Sequence, residues 1–233
     1  MPRGRARGYD DQREQILGRA SKLFARRGYT ATSMNEVAEA CGVAKPSLYH
    51  YFRDKQHLLL EIAAAHVTRL EALVEAVGAE AHEPEARVRR LITAFLDVYA
   101  GAQAEHRVLT EDVRFLPPAD RRRVLDGERK VVAAFADAIA AVRPELRRHE
   151  LDKPLTMLLF GMMNWMFTWL KPRGELSHAD MAPVVADLFF GGLGAVRAPG
   201  VPSHPLSPKH NGDTACLTPP SSSSRSASPS RPR

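Results

Sequence analysis

The chain has 233 residues, 44% of them hydrophobic, enough to bury a real core and to exclude full-length disorder. Two cysteines, Cys41 and Cys216, exclude a disulfide-built secreted scaffold. The net charge of +6 is mildly basic and unevenly placed: +5 in residues 1–60, −2 in 61–200 and +3 in 201–233. No apolar stretch suited to a signal peptide follows the basic residues Arg3, Arg5 and Arg7. The longest apolar run, Leu155–Leu170, falls short of the ~20 residues that span a bilayer. The expectation is a soluble cytoplasmic protein without a membrane partner.

In chain order, a basic arm at 1–9 precedes a helix from about Asp11 to Arg27, whose Ile16, Leu17, Ala20, Leu23 and Phe24 make one apolar stripe. Gly28 supplies a left-handed stop. Ser33 and Glu36 have the spacing of a capping box, so a second helix starts near Met34, turns Val37, Ala38 and Cys41 inward and breaks at Gly42. A third, short helix carries Pro46 in its first turn, where a missing N–H is harmless. Asp54 caps a fourth helix that runs from Lys55 to about Ala79. Two short helices joined by a tight glycine turn, in the basic part of the chain, have the form of a helix-turn-helix.

Phe24, Gly28-Tyr29, Thr32-Ser33, Val37-Ala38, Gly42-Val43 and Leu48-Tyr49-His50-Tyr51-Phe52, followed by Asp54-Lys55 and Leu58-Leu59, resemble the DNA-binding domain of TetR/AcrR regulators. The resemblance implies an all-α fold of about nine helices. A three-helix DNA-binding domain would occupy 10–56, and an effector-binding and dimerisation domain 57–198. It also implies a set of DNA contacts. Thr32 and Ser33 would favour a phosphate at the start of the second helix, and Met34 would offer an apolar base contact. Lys45, Pro46 and Ser47 would present the exposed start of the recognition helix. Tyr49 and Tyr51 would donate to phosphates, His50 would face the groove, and Lys55 would clamp the backbone. Leu48 and Phe52 read as core. Cys41 reads as packing, and the basic arm either follows the minor groove or frays.

Beyond the fourth helix, a fifth from about Glu85 turns Val88, Leu91, Ile92, Phe95, Leu96 and Tyr99 to one face. A sixth covers about Ala104–Leu116 and a seventh about Ala119–Val142, where Arg121-Arg122-Arg123 reads as a solvated, ion-paired face. The eighth, Pro154–Lys171, is apolar nearly all round, so it should be buried on two sides, one of them by a second subunit. The ninth, about Ser177–Gly194, brings Val184, Val185, Leu188, Phe189 and Phe190 to the same seam. In family terms these last two helices make a homodimer interface. From 199 on, 16 of the last 33 residues are Ser or Pro, and the composition is that of a disordered tail.

Gly161-Met162-Met163-Asn164-Trp165, with Trp169, Gly174 and Leu176, is similar to a subgroup of these regulators tied to lipid and aromatic catabolism, whose effectors are acyl-CoA thioesters. That resemblance implies an effector tunnel around Phe95, Met157, Phe160, Gly161, Asn164 and Trp165. Plain core and dimer packing would account for the same residues. No catalytic or metal-binding motif is present and no cofactor is implied. The expected function is a regulator, most simply a repressor, released from a near-palindromic double-stranded DNA operator by a small apolar or acyl-CoA-like effector. A DNA-binding regulator without a small ligand remains the alternative, and a helical enzyme a remote one.

Overall fold

The computed structural model describes residues 7–171 and 174–197. The expected arm contacts of Arg3 and Arg5, the Arg7 side chain and the Ser/Pro-rich tail lie outside the described residues. Among those described, every regular element is a helix or a 3-10 turn.

Helix α1 (Arg7–Arg27) buries Ile16, Ala20 and Phe24 and ends at Gly28, whose φ of +86° is the left-handed conformation glycine adopts without a Cβ clash. The Ser33–Glu36 capping box forms in both directions and starts α2 (Met34–Cys41), which Gly42 closes at φ +66°. Helix α3 (Lys45–Tyr51) has Leu48 as its one fully buried residue. Asp54 then accepts the His57 N–H at 2.7 Å and caps α4 (Lys55–Ala79).

The remaining helices are α5 (Pro84–Gly101), α6 (Gln103–Asp112), α7 (Pro118–Val142), α8 (Glu145–Arg148), α9 (Asp152–Asn164) and α10 (His178–Leu193). Three differ from expectation. The sixth is shorter, giving way to a 3-10 turn over Val113–Phe115. The four-residue α8, between Pro144 and Pro154, is too short to leave a periodic signal. The apolar run expected as one helix to Lys171 is α-helical only to Asn164 and 3-10 over Trp165–Thr168. Bulky aromatic and β-branched residues there lose side-chain freedom in an α-helix, and the Thr168 hydroxyl bonds the Trp165 carbonyl at 2.7 Å. Arg121, Arg122 and Arg123 are exposed, and ion pairs on this part of α7 join Arg129 to Asp126 and Lys130 to Glu71.

Two apolar cores organise these helices. The first joins α1, α2 and α3 to Leu58–Val67 of α4 and is completed by Val108, Leu109, Val113, Leu116 and Val124. The second collects Leu70, Val74 and Val77 of α4 with α5, α7, α9 and α10, around the mutually packed rings of Phe95, Phe135 and Phe160. Each fully buried ring contributes about 1.5–3 kcal/mol of apolar burial. Helix α4 therefore belongs to both cores, and no packing boundary falls at residue 56. It crosses α7 at Gly127, where a Cβ would collide with Val67 Cγ1 and meet Glu71 Oε1 at 2.9 Å.

Candidate nucleic-acid interface and buried cavity

On α3 the side chains of Lys45, Pro46, Tyr49 and His50 are exposed, Ser47 and Tyr51 are half-buried, and Leu48 anchors the opposite face. This follows from the helical period: positions i, i+1, i+4 and i+5 share one side. The Tyr51 ring is braced by Tyr9 of α1, stacked with centroids 4.6 Å apart. Arg53, exposed just past α3, adds a cation that the sequence reading passed over.

The structure corrects several expected contacts. Thr32 is 1% exposed and its hydroxyl donates to the Gly28 carbonyl at 2.9 Å, so it reaches no phosphate. Met34 packs into the first core and offers nothing to a base. Ser33 is exposed, but its hydroxyl is engaged with Glu36, donating to Oε2 and accepting the Glu36 N–H. The amino end of α2 thus already holds a carboxylate, itself paired with Arg27 at 2.5 Å. Those bonds hold the Glu36 carboxyl below its usual range.

Lys55 points inward. Its Nζ donates to the Tyr29 carbonyl at 2.9 Å and the Thr32 carbonyl at 2.8 Å, and lies 4.4 Å from the centroid of the Tyr29 ring. Partial burial lowers its pKa, against the pull of Glu36. It ties the turn between α1 and α2 to the start of α4 and is not free to clamp a phosphate. The carbonyls of the turn between α1 and α2, which converge on the start of α4, were the missing signal, and a sequence does not display them.

Where the second core meets the first lies a cavity of about 110 Å³. Val67 and Leu70 of α4, Phe95 and Tyr99 of α5, His106 of α6, Val131 and Glu128 of α7, and Met157, Phe160 and Asn164 of α9 form its wall. Four of the six residues expected around an effector are there. The other two are not: Gly161 is exposed and Trp165 is 67% exposed, on the outer side of α9 and the turn after it. Helical spacing puts 157, 160 and 164 on one face and 161 and 165 on the next. Tyr99, His106 and Glu128 were missed: Tyr99 was placed on the inward face with Phe95 but only as packing, and His106 and Glu128 come from two further helices. The Tyr99 phenol, its pKa pushed up by burial, donates to Asn164 Oδ1 at 3.0 Å. Burial also raises the Glu128 carboxyl above its usual range.

The outer side of α9 and α10 is apolar and exposed, with Leu158 and Leu188 both 66% exposed and Val184 and Trp169 nearly half so. Leu155, Leu159, Val185 and Phe189 point the other way, into the core, so the expected single seam divides into two faces. Among the described residues no helix is long and apolar enough to cross a membrane, and no group of three or more His, Cys, Asp or Glu could hold a metal.

Two family models match the chain: that of bacterial regulatory proteins of the tetR family over residues 16–62, and that of the tetracyclin repressor-like C-terminal domain over residues 81–193. A TetR-family transcriptional regulator from Bordetella parapertussis 12822 is 33% identical, with a TM-score of 0.74 over 79% of this chain and 97% of that one. The chain belongs to the TetR family of bacterial regulatory proteins. As a TetR-family member it is a DNA-binding transcriptional regulator, not an enzyme, and α2–α3 is its helix-turn-helix. The HTH-type transcriptional activator FasR of Mycolicibacterium smegmatis is 34% identical over 110 residues, 47% of this chain, and the chain spans half the length of that relative. AibR, solved in complex with isovaleryl coenzyme A and operator DNA, shares the fold at 24% identity, with a TM-score of 0.66 over 76% of this chain and 97% of that one.

Proposed function

We propose that this TetR-family regulator is a homodimer that reads a near-palindromic operator with α3 and leaves it when an apolar effector of the acyl-CoA class enters the cavity. In this reading Lys45, Pro46, Ser47, Tyr49, His50 and Arg53 meet the duplex, and Tyr51 is oriented toward it by Tyr9. The exposed faces of α9 and α10 pair about a two-fold axis, covering Leu158, Trp165, Val184 and Leu188. Two readers related by that axis suit two half-sites about one helical turn apart.

The observation that carries the mechanism is the double membership of α4. One end of this helix is locked to the reader through Lys55 and Leu58–Val67, and Val67 and Leu70 also wall the cavity. A ligand larger than the empty cavity must displace α4 or its neighbours, and any conformer it prefers moves the reader.

The cavity alone is smaller than the range that holds drug-sized ligands. It shares Glu128, Val132 and Met157 with an outer groove of about 500 Å³ between α7 and α9, whose residues include Arg129, Arg147 and Lys153. The same groove holds Glu128, Asp137 and Asp152, with Arg147 paired to both aspartates, so an acyl end inside would place its anionic remainder beside Lys153 and arginines that must exchange partners. AibR's complex with isovaleryl coenzyme A and operator DNA shows that this fold accommodates such a pair of ligands in another protein.

The test is operator binding by fluorescence anisotropy, on a duplex selected from a random pool, with isovaleryl-CoA and longer acyl-CoA thioesters. A rise of tenfold or more in operator Kd with one member supports the reading. A constant Kd across the series overturns the acyl-CoA assignment. Sedimentation velocity tests the dimer: the wild type sediments as a dimer, and Leu188→Glu as a monomer.

A further inference from the structure

Among the described residues four buried ring nitrogens have no hydrogen-bond partner: Nδ1 and Nε2 of both His66 and His106. His66 is 1% exposed and His106 3% exposed. Native interiors rarely leave such groups unsatisfied, since their water is lost and nothing replaces it. The two rings meet edge to face with centroids 5.6 Å apart, and His106 also stacks on Tyr99 at 3.9 Å. His106 lines the cavity, with His66 packed against it.

The other polar groups of the wall narrow the choice. Asn164 is bonded to Tyr99, and the Thr110 hydroxyl bonds the carbonyls of His106 and Arg107 in its own helix. Glu128 brings a carboxyl, and no lysine or arginine lines the cavity. An anion placed there would sit beside a carboxyl without a compensating cation, an arrangement low-dielectric interiors penalise heavily. A neutral imidazole presents one donor and one acceptor, which suits an uncharged oxygen. Burial, aided by nearby histidines or by Arg69, holds His106 and His66 at about 3 and about 4, so both rings are neutral near pH 7.

We infer that His106 is the hydrogen-bonding contact for the buried end of the effector, and that this end is an uncharged carbonyl or hydroxyl on a small aliphatic group. A cavity of about 150 Å³ takes benzene, so this one accepts about six heavy atoms or fewer. The inference rests on the effector reading of the cavity and adds to it the chemistry of the buried end. A thioester carbonyl meets the requirement. A free carboxylate does not. The contact is also placed to report: the neighbouring Glu105 accepts the Ser21 hydroxyl of α1 at 2.8 Å, so α6 touches both ligand and reader.

The test uses the full chain and three probes of one branched skeleton: 3-methyl-2-butanone, isobutyrate and 2,3-dimethylbutane. Dissociation constants come from shifts of the labelled Met157 methyl, and ring-nitrogen signals report on the histidines. The ketone is expected to bind about tenfold tighter than the alkane, to move the His106 ring signal, and to outcompete isobutyrate. His106→Phe keeps the stacking and brings ketone and alkane to equal affinity, and the remaining alkane binding shows that the variant is folded. His106→Gln restores part of the advantage.

Equal binding of ketone and alkane, isobutyrate binding as tightly as ketone, no binding of any probe, or an advantage that survives His106→Phe overturns the inference. Ketone binding that persists when Val131→Phe fills the cavity overturns the effector reading itself. Binding lost on filling but indifferent to His106 overturns the inference alone.

Discussion

The two cores of this molecule differ in what they leave unmet. In the reader core the buried hydroxyls have partners: Ser21 bonds Glu105 and Gly18, and Thr32 bonds Gly28. Where the body core meets it, a cavity of about 110 Å³ persists and two histidines remain unpaired, His66 of α4 and His106 of α6. The first is built to hold one shape, as a surface that must match a DNA groove requires. The second is built with room for something else. Helix α4 runs through both, so a change in the open core reaches the closed one.

The largest expected effect tests how the closed core is held. Lys55→Ala removes three charge-assisted hydrogen bonds, the two short ones to the Tyr29 and Thr32 carbonyls and a longer one to Thr30, and leaves the acceptors without the ammonium. The expected cost is about 2–3 kcal/mol by urea denaturation, given the partial exposure of the site. The slope of log operator affinity against log salt should not change. A phosphate clamp behaves the opposite way, with stability kept and the slope falling by about 1. That result would return Lys55 to the interface.

Next in size is a paired enlargement. Val37 is fully buried in the reader core and Val131 lines the cavity. Val37→Phe is expected to cost about 1–3 kcal/mol through overpacking, whereas Val131→Phe finds space and costs less than half as much. Equal costs would mean the cavity does not soften its core, and the contrast between the two regions would collapse.

The same contrast governs what the sequence displayed. Ser33 with Glu36, Gly28, Gly42, Asp54 and the inward Leu48 and Phe52 are local signals: cap, stop and stripe each act within about four residues. They yielded α2 to α4 and the end of α1 nearly to the residue, while α1 starts at Arg7, four residues before the expected Asp11. The direction of Lys55 depends on carbonyls more than twenty positions away, so the family pattern placed it on the wrong side. In the body, Phe95, Met157, Phe160 and Asn164 were legible as one apolar face plus an amide. Tyr99 shares α5 with Phe95, and His106 and Glu128 join them only through the packing of two further helices. Gly161 and Trp165 were drawn in with their neighbours because an all-round apolar helix does not show which side faces inward.

Acid should separate the regions more gently. His66 and His106 titrate at about 4 and about 3 in the folded chain, against about 6.5 when unfolded. The unfolded state therefore binds protons first, and the stability these rings contribute, full above pH 6.5, is lost as pH falls. Between pH 7.5 and 6 the loss is about 0.8 kcal/mol per ring. Asp112, beside the reader core, has the opposite sign: burial raises it from 3.8 to about 6, so protonation relieves a cost as pH falls through 6. Combining His66→Leu with His106→Phe should flatten the acid limb of stability, and Asp112→Asn should steepen it. Denaturant titrations at pH 7.5, 6 and 5 read both slopes, and parallel curves for all three chains would show that neither site carries the pH dependence.

The smallest effect concerns the outer surface of the reader, where the closed core delivers its function. Tyr49 is 43% exposed on the same side of α3 as Lys45, and Leu48 fixes the helix from behind. A phenol that donates to a phosphate adds affinity without sequence information, because every nucleotide carries the same acceptor. Tyr49→Phe should therefore weaken binding about three- to tenfold on specific and scrambled duplexes alike. It carries no charge and displaces no counterion, so the salt slope should stay where it was. Lys45→Ala provides the contrast: a cation on a phosphate lowers the slope by about 1, while a cation on a guanine edge costs affinity chiefly where that guanine is present. If Tyr49→Phe weakens only the selected operator, the hydroxyl reads a base and not the backbone. The exposed face of α3 would then be a reading surface across its whole width, with its phosphate contacts left to the flanking Tyr51 and Arg53.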